Sequence, residues 1–336
     1  MRADPHDLPQ AGSKGEENAV SRILVVRNDE IDAHVTSADC IPLVEQAFQA
    51  MTEGKAELPK KYHDIGDWGL WFFMGGNVFP SEATAIKMGF AAQGALTCQV
   101  IYYDHETCEP KGLFEGLKVT NLRTGAAAAV GAKMMARKDS KVAGFVGGGQ
   151  VCRHALGALQ AIFELDKVLV YDLSPEAAAE FAAEAKAKYS MDVTPASAEE
   201  VVRAADIVIS ATPSREAIVR AEWVKPGTHF SAMGSDGAGK QELAAGVHQK
   251  ARIVCDRIEQ CLKWGDINTS VTAGLVSEGD IVGEIGEVVA GTLEGRLSDD
   301  EITLFDATGM GVQDAVVAKV IYDIAEREGL GTAVEL

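Results

Sequence analysis

The stretch that most limits how this chain can fold is Lys141–Asp172, where a strand, three glycines, a helix, a second strand and an acid follow one another. Strand Lys141–Val146 ends on Gly147-Gly148-Gly149, and a helix over Val151–Glu164 opens almost at once. So abrupt a reversal needs backbone conformations that only glycine adopts without strain. The alternation then continues through strand Lys167–Tyr171, helix Pro175–Tyr189, strands Asp206–Ser210 and Thr228–Ala232, helix Gln241–Lys250, and strands Arg252–Asp256 and Glu301–Phe305. Strands and helices in this order join by right-handed crossovers, which predicts a parallel, doubly wound α/β sheet of Rossmann type.

With 34 glycines in 336 residues, a glycine triplet decides little by itself. Its setting decides more. In a dinucleotide-binding turn the first glycine makes the bend and the second lets a pyrophosphate approach the backbone. A third small residue lets helix meet strand. Gly147, Gly149 and Cys152 fill these places, and the phosphates would rest on N–H groups at the helix start, the positive end of its dipole. Asp172 stands 23 residues after Gly149, at the end of the next strand. An acid there accepts hydrogen bonds from the adenosine ribose hydroxyls and repels a 2′-phosphate, which points to NAD(H) over NADP(H). The plainer alternative is that Asp172 caps helix Pro175–Tyr189. A second glycine-rich run, Gly234–Lys240, matches the start of a phosphate-binding loop. Gln241 then stands where that loop needs a hydroxyl for Mg²⁺, which argues against ATP hydrolysis.

The flanking regions read differently. Residues 1–20 are expected to form a flexible polar tail, followed by strand Ile23–Val26 and a helix capped by Ser37 that buries Ile41, Val44 and Phe48 and stops at Gly54. Leu58–Tyr103 is strand-like, with Gly75-Gly76 and Asp104–Pro110 read as turns. Helix Thr124–Ala136 precedes the Rossmann region and helix Val312–Glu328 closes the chain. Fifty acidic against 31 basic side chains give a net charge of −19, which opposes binding to nucleic acid or to anionic membranes. The tail has no signal-like apolar core, and no run of ~18 apolar residues occurs, so a cytoplasmic location is expected. Six cysteines without a Cys-x-x-Cys pair read as reduced, buried thiols, and the histidines show no metal spacing, so no metal site is expected.

Four blocks, Asn121–Ala129, the Gly147 turn, Met233–Leu243 and Phe305–Asp314, resemble the ornithine cyclodeaminase/mu-crystallin family in order and spacing. The resemblance implies a Rossmann domain over 123–311 inserted into a discontinuous α+β domain, 21–122 plus 312–336, that binds substrate and forms a homodimer. It implies a nicotinamide cofactor and chemistry at a carbon bearing nitrogen and a carboxylate. By the same likeness Lys61, with Lys60 its register neighbour, grips the substrate carboxylate, and Lys87 is the active-site lysine. Arg123 pairs with the carboxylate, and Thr124 meets the pyrophosphate at its helix start. Asp236 is the catalytic acid and Lys240 a cofactor contact. Thr212, Met233 and the Ala307-Thr308 step run past the nicotinamide and substrate. Many members carry Gln two residues after the second glycine. Here Gln150 follows at once and Val151 takes that place, so a rearranged phosphate contact is expected.

The residue types suit this chemistry on their own account. An α-imino acid offers a planar C=N and a carboxylate. Arg123 can bind the carboxylate through two parallel N–H groups, and Lys61 or Lys87 can add charge. Asp236 can stabilise a protonated imine and carry its proton. Each residue also has a plainer role: surface charge for Lys60 and Lys61, a structural charge for Lys87, a loop cap for Arg123, a turn former for Asp236. The leading expectation is an NAD(H)-dependent imine reductase or amino-acid dehydrogenase, with iminosuccinate or a ketimine among its substrates. A redox-neutral cyclodeaminase and a non-catalytic crystallin-like protein are the alternatives.

Overall fold

The computed structural model describes residues 22–58, 60–64 and 69–335, the side chains of 60–64 excepted. The expected tail over 1–20 lies outside the described residues, as does Trp68, an aromatic that the sequence offers either for a pocket wall or for the core.

The strands are β1 (Arg22–Val25), β2 (Ala56–Glu57), β3 (Lys60–Asp64), β4 (Leu70–Val78), β5 (Ala83–Ala92), β6 (Ala95–Tyr103), β7 (Pro110–Glu115), β8 (Val142–Val146), β9 (Lys167–Tyr171), β10 (Val193–Pro195), β11 (Ile207–Ser210), β12 (His229–Ala232), β13 (Ala251–Cys255), β14 (Ile281–Glu284), β15 (Ile302–Asp306) and β16 (Thr332–Glu335). The helices are α1 (Asn28–His34), α2 (Ser37–Thr52), α3 (Gly116–Met135), α4 (Gln150–Gln160), α5 (Pro175–Tyr189), α6 (Ala198–Ala204), α7 (Ala245–His248), α8 (Ile258–Trp264), α9 (Asn268–Thr272), α10 (Ile285–Val289) and α11 (Gly311–Glu328).

Two eight-stranded sheets result. The first runs β16-β1-β7-β6-β5-β4-β2, with β3 also paired to β4, and is mostly antiparallel. The second runs β10-β9-β8-β11-β12-β15-β13-β14 and is parallel throughout. This is the doubly wound order, with its switch point between β8 and β11, where ligands of such sheets bind.

Helix α3 lies between the two sheets. Its Gly125, Ala126–Ala129 and Gly131 are all buried, and from Leu122 to Ala132 the helix has no solvent face. A Cβ at Gly125 would stand 2.8 Å from His154 of α4, and one at Gly131 would stand 2.3 Å from the Phe305 ring of β15. Small residues bring the helix axis close to both neighbours. The expected start at Thr124 is therefore wrong: the helix begins at Gly116, where the Glu115 carboxylate accepts from Lys118 N at 2.8 Å. The domain boundary expected at 122/123 falls inside this helix.

Three further expectations are corrected. Thr36, not Ser37, caps α2, and Ser37 Oγ instead donates to Leu122 O at 2.9 Å. Gly75-Gly76 is no turn but the middle of β4, and a Cβ on Gly76 would meet Gly311 O at 2.2 Å. These glycines admit the start of α11 against the sheet. The helix expected over Gln241–Lys250 shrinks to Ala245–His248, because Asp266 takes the N–H groups of Glu242 and Leu243. Five of the cysteines are buried and free, whereas Cys108 is exposed. No helix among the described residues is long and apolar enough to cross a membrane.

Candidate active site

A cavity of about 840 Å³ opens at the switch point of the parallel sheet, lined in part by Gly147, Gly149, Asp172, Ser174, Thr212 and Trp223. Gly147 has φ +110°, and a Cβ there would press on Ala211 O at 2.7 Å, so only glycine fits. A Cβ on Gly149 would instead project into open space, beside the start of α4, where no side chain caps the helix. An uncapped helix start faced by open room is the cradle an anion needs. Asp172 accepts from Gly148 N at 2.7 Å and from Ser174 N at 2.8 Å. Ser174, not Asp172, caps α5. Asp172 thus braces the glycine turn and stands on the cavity wall. Gln150 is exposed at the first position of α4, whereas Val151 packs against the core.

A second group of residues is buried where the first sheet meets α3 and α11. Lys87 of β5 and Arg123 of α3 each approach Oδ1 of Asp314 in α11, Nζ and Nε both at 3.5 Å. Lys87 Nζ also donates to Thr120 Oγ1. A Cβ on Gly309 would lie 2.4 Å from Arg123 Nη1, so the guanidinium lies against the Thr308–Gly309 turn. Thr308 and Gly309 donate their N–H groups to Asp256 Oδ2 at 2.9 and 2.7 Å. Within this group two buried cations face one buried acid. Arg123 Nε, Thr124 Oγ1, Gln313 Nε2 and both Asp314 oxygens have no hydrogen-bond partner among the described residues. Polar groups left this way cost free energy unless water or a ligand meets them.

Asp314 escaped the sequence reading as a site residue, although it stands in a quoted block. Its signal was an acid in the apolar run Gly311–Val317. Thr124 lies in the ninth position of α3, buried, and not at a helix start. The backbone of Lys61 pairs with Phe73, and that of Lys60 with Met74, which itself pairs with Lys87. Met233 is buried after β12, and Ala307 N donates to Ala232 O. Asp236 pairs with Lys240 at 2.5 Å in the loop after β12, makes no ion pair with Lys87 or Arg123 among the described residues, and has a side chain that is 67% exposed. No group of residues among those described could hold a metal ion.

Behind the Thr212 and Gly234 turns runs a network of buried acids. Glu242 accepts from Thr212 N, Ser210 Oγ and Gly234 N at 2.6, 2.9 and 3.0 Å. Burial and the neighbouring Asp266 hold its carboxyl above the usual range. Burial does the same to Asp306.

Parallel sheet, glycine turn and braced acid define a Rossmann-type α/β protein with a second domain packed against it. The chain belongs to the ornithine cyclodeaminase/mu-crystallin family, whose sequence model matches residues 22–329. It is 33% identical to the iminosuccinate reductase of Paracoccus denitrificans over 94% of this chain and all of that one. The structure of an archaeal alanine dehydrogenase dimer with bound NAD superposes with a TM-score of 0.87 at 35% identity, covering 94% of this chain and 99% of that one. The Δ1-pyrroline-2-carboxylate reductase of Thermococcus litoralis, in complex with NADH and L-proline, gives 0.87 at 33% identity, covering 93% and 100%.

Proposed function

We propose that this protein is an NAD(H)-dependent oxidoreductase that reduces an α-imino acid to an L-amino acid or runs the reverse dehydrogenation. The observation that carries this reading is the surplus of one positive charge in the buried group Lys87, Arg123 and Asp314. A buried unpaired charge is costly, and a substrate carboxylate would neutralise it. Arg123 offers a planar fork for that carboxylate, with Lys87 as the second cation. A lysine of β3, Lys61 or its register neighbour Lys60, would add a further cation for that carboxylate, as the family resemblance implies.

The cavity at Gly147–Gly149 suits a nicotinamide dinucleotide, with Asp172 on the ribose and α4 on the pyrophosphate. Thr212, Met233, Lys240 and Ala307 flank its nicotinamide half. Bound there, the cofactor supplies or accepts the hydride. The protein's own part is to hold the imino acid by its carboxylate at Arg123 and Lys87, and to move a proton at the imine nitrogen through Asp236. The parallel sheet thereby serves the cofactor, and the first sheet, with Arg123 of α3 and Asp314 of α11, serves the substrate. The exposed Trp71, Phe73 and Ile86 on β4 and β5 form an apolar face suited to a second copy of the chain, in line with the dimeric relative.

The test is a screen with NADH. Oxaloacetate, pyruvate or glyoxylate with ammonium, and Δ1-pyrroline-2-carboxylate, are offered in turn while absorbance at the reduced-nicotinamide band is followed. Sustained loss of NADH matched by amino acid formed supports the reading. Release of ammonia from ornithine with no net change in NADH, and no imine reduced, would overturn it in favour of a cyclodeaminase.

A further inference from the structure

Behind the cleft the Asp266 carboxyl group fastens the backbone that carries Glu242, and that of Asp306 fastens the backbone that carries Asp266. Asp266 accepts from Glu242 N at 2.5 Å and from Leu243 N at 3.1 Å. Asp306 accepts from Asp266 N at 2.9 Å and Ile267 N at 3.1 Å. The main-chain oxygen of Asp306 accepts from Asp256 N at 2.9 Å, and the Asp256 carboxylate takes the N–H groups of Thr308 and Gly309. Glu242, Asp266 and Asp306 are fully buried. His248 bridges Asp266 and Ser270, at 2.8 and 2.7 Å. The series begins at the Thr212 and Gly234 turns and ends at Thr308.

Glu242 is the link with the most direct hold on the site. One oxygen takes Thr212 N and the other takes Gly234 N and Ser210 Oγ, so a single carboxylate ties the end of β11 to the end of β12. The two turns touch backbone to backbone: a Cβ on Gly234 would stand 2.4 Å from Thr212 O and 2.8 Å from the Glu242 carboxyl carbon. Asp236 follows two residues later. From this geometry we propose that Glu242 is a positioning residue, which sets the Asp236 loop relative to the Thr212 turn so that acid and hydride path stay aligned. The idea rests on the imine-reductase reading for its kinetic consequence, though not for its structural one.

Burying a carboxylate is expensive unless every lone pair is used, and an apolar side chain would hold the fold more cheaply. A carboxyl group has another merit here, since its two oxygens accept from two separate turns at once and fix their spacing, with the Ser210 hydroxyl free to donate or accept as the group is ionised or neutral. A misplacement of about 1 Å at a reacting group costs roughly 100-fold in rate.

Glu242→Gln puts an amide N–H against one of these donors and opens the tie. In the unliganded protein, hydrogen–deuterium exchange at the Thr212 and Gly234 amides should rise about tenfold, while β8 and β9 stay protected. With NADH and a working imine, kcat should fall roughly 100-fold, with KM changed less than about threefold and a larger primary isotope effect from 4-deuterated NADH. A merely structural loss would instead lower kcat in step with the folded fraction and leave the isotope effect unmoved. Ser210→Ala removes one of the three contacts with less risk to folding, and should raise exchange at Gly234 and lower kcat severalfold in the same pattern. Unchanged exchange at both turns, or a kcat within about twofold of the parent in Glu242→Gln, overturns the proposal. If the parent protein reduces no imine at all, the functional reading fails, and the exchange data alone decide whether Glu242 ties the turns.

Discussion

Lys240 donates to Oδ1 of Asp236 at 2.5 Å across four residues of loop, which leaves the acid paired yet largely open to solvent. An exposed carboxylate held by one cation contributes little to folding, so its replacement should be felt in catalysis and not in stability. Asp236→Asn should lower kcat by roughly 10²- to 10⁴-fold, the usual worth of a general acid or base. NADH affinity by fluorescence titration and the unfolding midpoint should barely change. Retention of turnover in Asp236→Asn would move the proton-transfer role to another residue.

The charge count at Lys87, Arg123 and Asp314 makes two substitutions behave in opposite ways. Arg123→Met leaves Lys87 and Asp314 as a balanced pair, so the fold should survive while KM for the imino acid rises steeply. Asp314→Asn leaves two buried cations without an acid, a loss of the kind that costs about 3–5 kcal/mol. Urea unfolding of the two variants checks the order. If Arg123→Met were the less stable of the pair, the surplus positive charge would not describe the site.

Much of the parallel sheet was legible because its signals are local. Strand Lys167–Tyr171 and helix Pro175–Tyr189 have the bounds read from the sequence, and the Gly147 turn with Asp172 follows from the spacing of a few neighbouring residues. Most of what stayed hidden depends on distant partners. Gly75-Gly76 looks like a turn until α11 is seen to rest on it. The start of α3 stayed hidden because Glu115 caps it and Gly116 opens it, residue types that signal a helix start weakly. The place of β15 between β12 and β13 is a matter of long-range order that no local pattern encodes. Asp314 looked like one acid in an apolar helix, and only the convergence of β5, α3 and α11 gives it two cations to face.

The contact between β4 and α11 supplies a test of that packing. Gly76→Ala would place a methyl 2.2 Å from Gly311 O, with backbone on both sides unable to yield as a flexible side chain would. Overpacking of this sort costs about 1–3 kcal/mol or more. Because α11 carries Asp314, the variant should also bind substrate less well at temperatures where it remains folded. Thermal unfolding with a parallel KM measurement checks both, and a fully active, equally stable Gly76→Ala would contradict the close approach.

His229 ties stability to acidity. Its ring is buried between Thr303 Oγ1 at 2.9 Å and Ser231 Oγ at 3.0 Å, and burial, helped by Arg296, lowers its pKa from 6.5 to about 3. Between these values the unfolded chain holds a proton at this position that the folded chain refuses. The stability from a neutral His229 is therefore complete above pH 6.5 and is lost as pH falls towards 3. By linkage the loss reaches about 2 kcal/mol at pH 5. His154, lowered by burial to about 4, acts in the same direction, so the dependence belongs to both residues. His229→Gln keeps a hydrogen-bonding side chain without the titration, and its urea midpoint should fall less between pH 7 and pH 5 than that of the parent. An equal fall in both proteins would mean that His229 takes up no proton on unfolding in that range.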